Sequence, residues 1–158
     1  MTIITHAQVR TKLSKVIDLP GGISVGVALS RARTNIESRR AQAEAVMEIE
    51  IAGLEGVAAP TTLEDQPFRL KEAYRAANGV IDAASPFELA DLCQAASGLC
   101  DMIDSARPDL MFDWRVVKVY ARSLRLLQTL PLDQAGARNT VLDSLKSVAD
   151  RKLQPPAA

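Results

Sequence analysis

The chain has 158 residues, 47% of them hydrophobic and 24% charged, and nineteen Lys and Arg balance nineteen Asp and Glu. This composition suits one globular domain with its own core, expected over 1–158. It excludes a disordered tail, a collagen-like rod and a disulfide-dependent miniprotein. Zero net charge argues against a dedicated nucleic-acid binder, which carries a basic excess.

The pattern predicts helices almost throughout. Gly and Pro cluster at a few places, and aromatic residues make up only 4%, which disfavours an all-β reading. The expected fold class is all-α: an antiparallel four- to five-helix bundle with one unusually long helix. A short helix is predicted over 5–18, where Val9, Leu13, Val16 and Ile17 share a face. It ends at Leu19-Pro20-Gly21-Gly22, so 1–22 reads as a short helix and linker. The long helix is predicted over about 24–59. Its stripe of Val25, Leu29, Ala32, Ile36, Ala43, Met47, Ile51 and Leu54 has intervals of three and four, except for a gap at Arg39 and Arg40. Pro60 stops it. The next helix starts near Asp65, with Pro67 in its first turn, and carries Phe68, Leu70, Ala73, Tyr74, Ala77, Val80, Ile81 and Ala84. Ser85-Pro86-Phe87-Glu88 has the form of a capping box. It would open a helix whose core face is Leu89, Leu92, Cys93, Ala96, Leu99, Cys100 and Ile103. The helix over about 110–130 is the most apolar, its wide face pointing to a central place in the bundle. A last helix is expected over 134–153, then a frayed tail at 154–158.

The long helix would measure ~54 Å at 1.5 Å per residue, against a diameter of roughly 40 Å for a compact domain of this size. It would overshoot its bundle with Met47, Ile51 and Leu54 still on the stripe, and exposed apolar surface on an overhang marks an interface. Charge supports self-pairing. The first half holds Arg31, Arg33, Arg39 and Arg40, and the second holds Glu44, Glu48, Glu50 and Glu55. In an antiparallel homodimer Arg39 and Arg40 would fall level with Glu50 of the second copy. The interface candidates are therefore Arg39, Arg40, Met47, Glu50, Ile51 and Leu54. The alternative is that these charges face neighbours within the chain or water.

No catalytic constellation is assembled. His6 is the single histidine, which disfavours zinc and Ser/His/Asp chemistry. A histidine phosphotransfer role for it would want a mid-helix setting that it lacks. Cys93 and Cys100 on one helix lie ~10.5 Å apart along the axis, beyond the ~7 Å reach of a disulfide. They read as small core residues of a reducing compartment. Gly21-Gly22 lacks the lysine and spacing of a phosphate loop. No catalytic residue, metal or cofactor is expected. Arg115, Lys118, Arg122 and Arg125 form a basic stripe able to hold an anion or an acidic partner. The plainer reading pairs that stripe with the acidic helix before it, since 76–106 holds five acids and no base.

No run of ~18 apolar residues and no signal-peptide pattern occurs, so no membrane partner and a cytoplasmic location are expected. The function expected is a non-enzymatic interaction module of adaptor or regulatory type, of the kind used in bacterial signalling, self-associating through the long helix with a partner protein still unidentified. The alternative is a small-ligand-binding or enzymatic bundle with a pocket near Arg39, Arg40, Trp114 and Arg115, and a remote one is histidine phosphotransfer through His6.

Overall fold

A computed structural model describes residues 23–153. The short helix expected over 5–18, His6, the double glycine and the tail at 154–158 lie outside the described residues. The described chain is all-α, with six helices and no strand among the described residues. They are α1 (Val25–Glu37), α2 (Arg40–Gly56), α3 (Gln66–Ala84), α4 (Ala90–Asp104), α5 (Arg115–Thr129) and α6 (Ala135–Leu153). The chain divides into two compact units, Met1–Glu37 and Ser38–Ala158.

The described part of the first unit is dominated by α1. Ser24 caps it, its Oγ accepting from the Val27 N–H at 3.4 Å and its carbonyl from the Ala28 N–H at 2.9 Å. No residue of α1 is buried.

The expected continuous helix over 24–59 is not formed. Ser38 and Arg39 make a turn, and α2 begins afresh, with the Ala43 N–H donating to the Arg39 carbonyl at 3.0 Å. The stop falls in the six-residue gap between Ile36 and Ala43 in the apolar stripe. No buried side chain there holds the backbone in register. At 17 residues α2 spans ~25 Å, between the lengths of its neighbours α3 and α5 at 19 and 15 residues.

In the second unit α2, α3, α4 and α5 close a ring in which each packs on the next and α5 returns to α2, while α6 lies on α4 and α5. Asn78 meets Cys100 and Gln66 meets Leu110, so α3 and α4 run antiparallel. Arg125 meets Glu48, while Trp114 and Val117 lie by Leu54 and Val57, so α2 and α5 do too. The core is built from Met47, Ile51 and Leu54 of α2, Val80 of α3, Leu99 of α4, Val117, Tyr120, Leu124 and Leu127 of α5, and Leu145 of α6. Small residues Ala73, Ala77 and Ala96, all fully buried, allow close helix approach. The apolar helix α5 packs on three others, as its wide apolar face requires.

Two boundaries differ from the sequence reading. Ser85-Pro86-Phe87-Glu88 is not a capping box. Ser85–Phe87 is a 3-10 turn continuing α3, and Glu88 is left-handed at φ 57°. The Leu89 N–H donates back to the Ala84 carbonyl at 3.4 Å and the Glu88 N–H to the Ser85 carbonyl at 3.2 Å. That is a Schellman closure, a helix ending with its last carbonyls satisfied from beyond the turn. The motif therefore ends one helix instead of opening the next. Residues 110–114 are irregular instead of helical, because the side chain of Gln66, 3% exposed, takes over their backbone. Its Nε2 donates to the Leu110 carbonyl at 3.0 Å and its Oε1 accepts from the Phe112 N–H at 2.6 Å.

Arg138, 5% exposed, ties three helices. It pairs with Asp91 in the first turn of α4 and donates to the Leu130 carbonyl that ends α5. Burial pushes the Asp91 carboxyl up, but Arg138 and the Leu92 N–H outweigh it and leave the carboxyl below its ordinary value.

Two outcomes are expected from thermal and denaturant unfolding. Glu88→Gly relieves a left-handed side chain and stabilises the chain by about 1 kcal/mol. Asp91→Asn strands a buried guanidinium and costs about 3 kcal/mol at neutral pH. Because the folded carboxyl titrates below its unfolded value of ~3.9, the Asp91 contribution is complete above that pH. It fades as pH falls through the folded value, so the gap between wild type and Asp91→Asn narrows only in that acid range.

Candidate functional site

The interface candidates are not on an outward seam. Met47, Ile51 and Leu54 are 2%, 0% and 1% exposed, covered by the other helices of the second unit. Glu50 also faces inward. Its side chain is 17% exposed and lies 3.6 Å from Arg75 of α3. It packs where a Cβ on Gly79 would come within 2.7 Å of it. Arg40 stacks over the Phe87 ring at 4.8 Å, and Arg39 donates to Gln42 at 3.2 Å. Each group of the expected Arg39/Arg40–Glu50 register between copies thus has a neighbour in its own chain.

The pocket expected near Arg39, Arg40, Trp114 and Arg115 is not formed. Because α2 and α5 are antiparallel, Trp114 and Arg115 sit at the C-terminal end of α2. Arg40 and Leu54 are ~21 Å apart along that helix. Sequence spacing carries no information on which helix ends meet.

The basic stripe divides. Arg125 reaches across to α2, pairing with Glu48 and, at 2.9 Å, with Glu55. Arg115 folds back on Asp113 with two contacts of 2.8 Å. The expected pairing with the acidic helix α4 does not occur, since the stripe faces α2 and the Asp91 of α4 is taken by Arg138. Lys118 and Arg122 have no ion pair among the described residues. They line a cleft of about 280 Å³ with Trp114, Val117 and Ala121 of α5 and Leu54, Glu55 and Val57 from the end of α2. The α5 members follow i, i+3, i+4, i+7, i+8 spacing, one helix face over two turns. Trp114 is 8% exposed, and its Nε1–H, sealed from solvent, has no acceptor among the described residues. An orphan donor of this kind costs ~1–3 kcal/mol. The cleft was half-legible in sequence, through the spacing of the basic residues and the nearby Trp114. Its α2 wall was not.

A second groove, about 410 Å³, runs between the start of α3 and the end of α4, lined mostly by apolar groups such as Leu70, Tyr74, Ile103 and Pro108. Exposed Phe68 and Leu110 belong to these same segments.

Neither thiol is activated. Burial, then Asp104 and Asp101, push Cys100 up to about 11, and burial with Asp91 raises Cys93. Among the described residues no three His, Cys, Asp or Glu groups gather as a metal site, and no helix is long and apolar enough to cross a membrane. No family model matches the chain, and no curated protein or solved structure is similar to it.

The Gly79–Glu50 contact gives a stability test. Alanine normally gains ~1 kcal/mol over glycine inside a helix. Gly79→Ala is expected to lose that gain in the wild type, where Glu50 must move out of the way, and to recover it in a Glu50→Ala background. Equal effects of Gly79→Ala in both backgrounds, in a double-mutant cycle, contradict the packing described.

Proposed function

We propose that the chain is a non-enzymatic helical interaction module of adaptor or regulatory type that self-associates through α1. The observation that carries this reading is the exposure of α1. Its stripe repeats at intervals of four, three and four through Val25, Leu29, Ala32 and Ile36, the spacing of a coiled-coil seam. Val25, Leu29 and Ile36 are 75%, 55% and 43% exposed. A 13-residue helix with no buried side chain is marginal in water, since most helical stability in proteins comes from packing of an apolar face. A second copy of the same helix, antiparallel, sets Val25 against Ile36 and Leu29 against Ala32.

The seam differs from that expected over 24–59 in using only the half before the Ser38–Arg39 turn. Met47, Ile51 and Leu54 have no part in it.

Light scattering coupled to gel filtration of the full chain tests the reading. A dimer is expected, and Leu29→Glu, which places a charge in the seam of both copies, weakens it by roughly tenfold or more. Phe68→Glu, an equally exposed apolar site on α3, leaves it intact. A monomeric wild type at micromolar concentration, or a dimer indifferent to Leu29→Glu, refutes it.

A further inference from the structure

The cleft between α5 and the end of α2 lies within the second unit. Two features converge there. Lys118 and Arg122, one helical turn apart, both line it and are unpaired among the described residues. Trp114, another wall residue, is 8% exposed, and its indole N–H has no acceptor among the described residues. The cleft runs beside the first two turns of a 15-residue helix, with the C-terminal end of α2 as its opposite wall. Glu55, the one carboxylate in the wall, pairs with Arg125 at 2.9 Å, which it shares with Glu48, and the two cations still outnumber it.

We propose that this cleft binds a phosphoryl group, held by Lys118 and Arg122, with the Trp114 N–H as a third donor. Two cationic side chains match the charge of a phosphate dianion, and a volume of about 280 Å³ admits one such group but not a large cofactor. Arg gives two parallel donors to a phosphate edge, and Lys adds a point charge. The Nε1 atom is closed to solvent, so binding draws the indole or its cover aside. The proposal therefore requires a change at Trp114 itself.

Trp114 is the single tryptophan, so one indole N–H resonance reports the site in the full-length protein. Titration with inorganic phosphate at constant ionic strength is expected to shift that resonance saturably. Sodium chloride leaves it in place, and acetate acts more weakly. A short phosphoserine peptide distinguishes the source: tighter binding than phosphate points to a phosphorylated protein, equal binding to the free anion. Lys118→Gln and Arg122→Gln, both at exposed positions, each weaken the shift by roughly tenfold. Arg115→Gln, outside the cleft, does not. An unmoved indole resonance overturns the proposal. So does a shift that chloride or acetate reproduces equally, or one that survives the Lys118→Gln/Arg122→Gln double substitution.

Discussion

The bundle depends on the apolar face of α2 being spent inside its own unit. Met47, Ile51 and Leu54 are almost without exposed surface, and the helix that carries them closes the ring between α3 and α5. Burial of three large side chains is worth roughly 5–9 kcal/mol at ~1.5–3 kcal/mol each, comparable to the whole stability of a typical domain. No external seam could compete for these residues without unfolding the core. Any surface offered to a partner must come from elsewhere in the chain.

Electrostatics follow from the same placement. With α2 beside α5, Glu48 and Glu55 meet Arg125, and with α3 beside it, Glu50 meets Arg75. The acidic half of α2 therefore neutralises bases of its own unit. Each of these pairs keeps one partner well exposed and is worth ~0–1 kcal/mol, so they set register more than stability. The Arg138–Asp91 contact is different. A guanidinium at 5% exposure with one carboxylate and one terminal carbonyl around it is costly to break. It fixes the start of α4 against the end of α5.

Helix existence was legible in the sequence because 3.6-residue periodicity is a local property. The predicted starts near Asp65 and at 134 fall within a residue of the observed α3 and α6. What failed needed contacts from far along the chain. Residues 110–114 carry a helical pattern, but a glutamine more than forty residues earlier claims their backbone. Ser85–Glu88 carries the letters of a helix start, yet the Glu88 and Leu89 N–H groups turn back to the helix before it. The gap at Arg39 and Arg40 is visible in the sequence, where the periodicity on either side suggests one continuous helix. A stripe interrupted for six positions is a place where a helix has little to hold it. The basic stripe was found correctly as a face of one helix, but its partner helix was not readable, since charge sums along a segment do not say which neighbours pack.

The two places where the described contacts are incomplete differ in kind. On α1 the unsatisfied surface is apolar, broad and exposed, so water bears the cost and a non-directional, shape-matched cover such as another helix relieves it. At Trp114 it is a single polar hydrogen closed off from water, and only an acceptor in the right direction relieves that. The neighbouring cations at 118 and 122 supply the reason for an acceptor to be anionic. A helix seam is indifferent to phosphate and an oriented donor is indifferent to leucine, so the proposed self-association and the proposed anion site answer to separate substitutions.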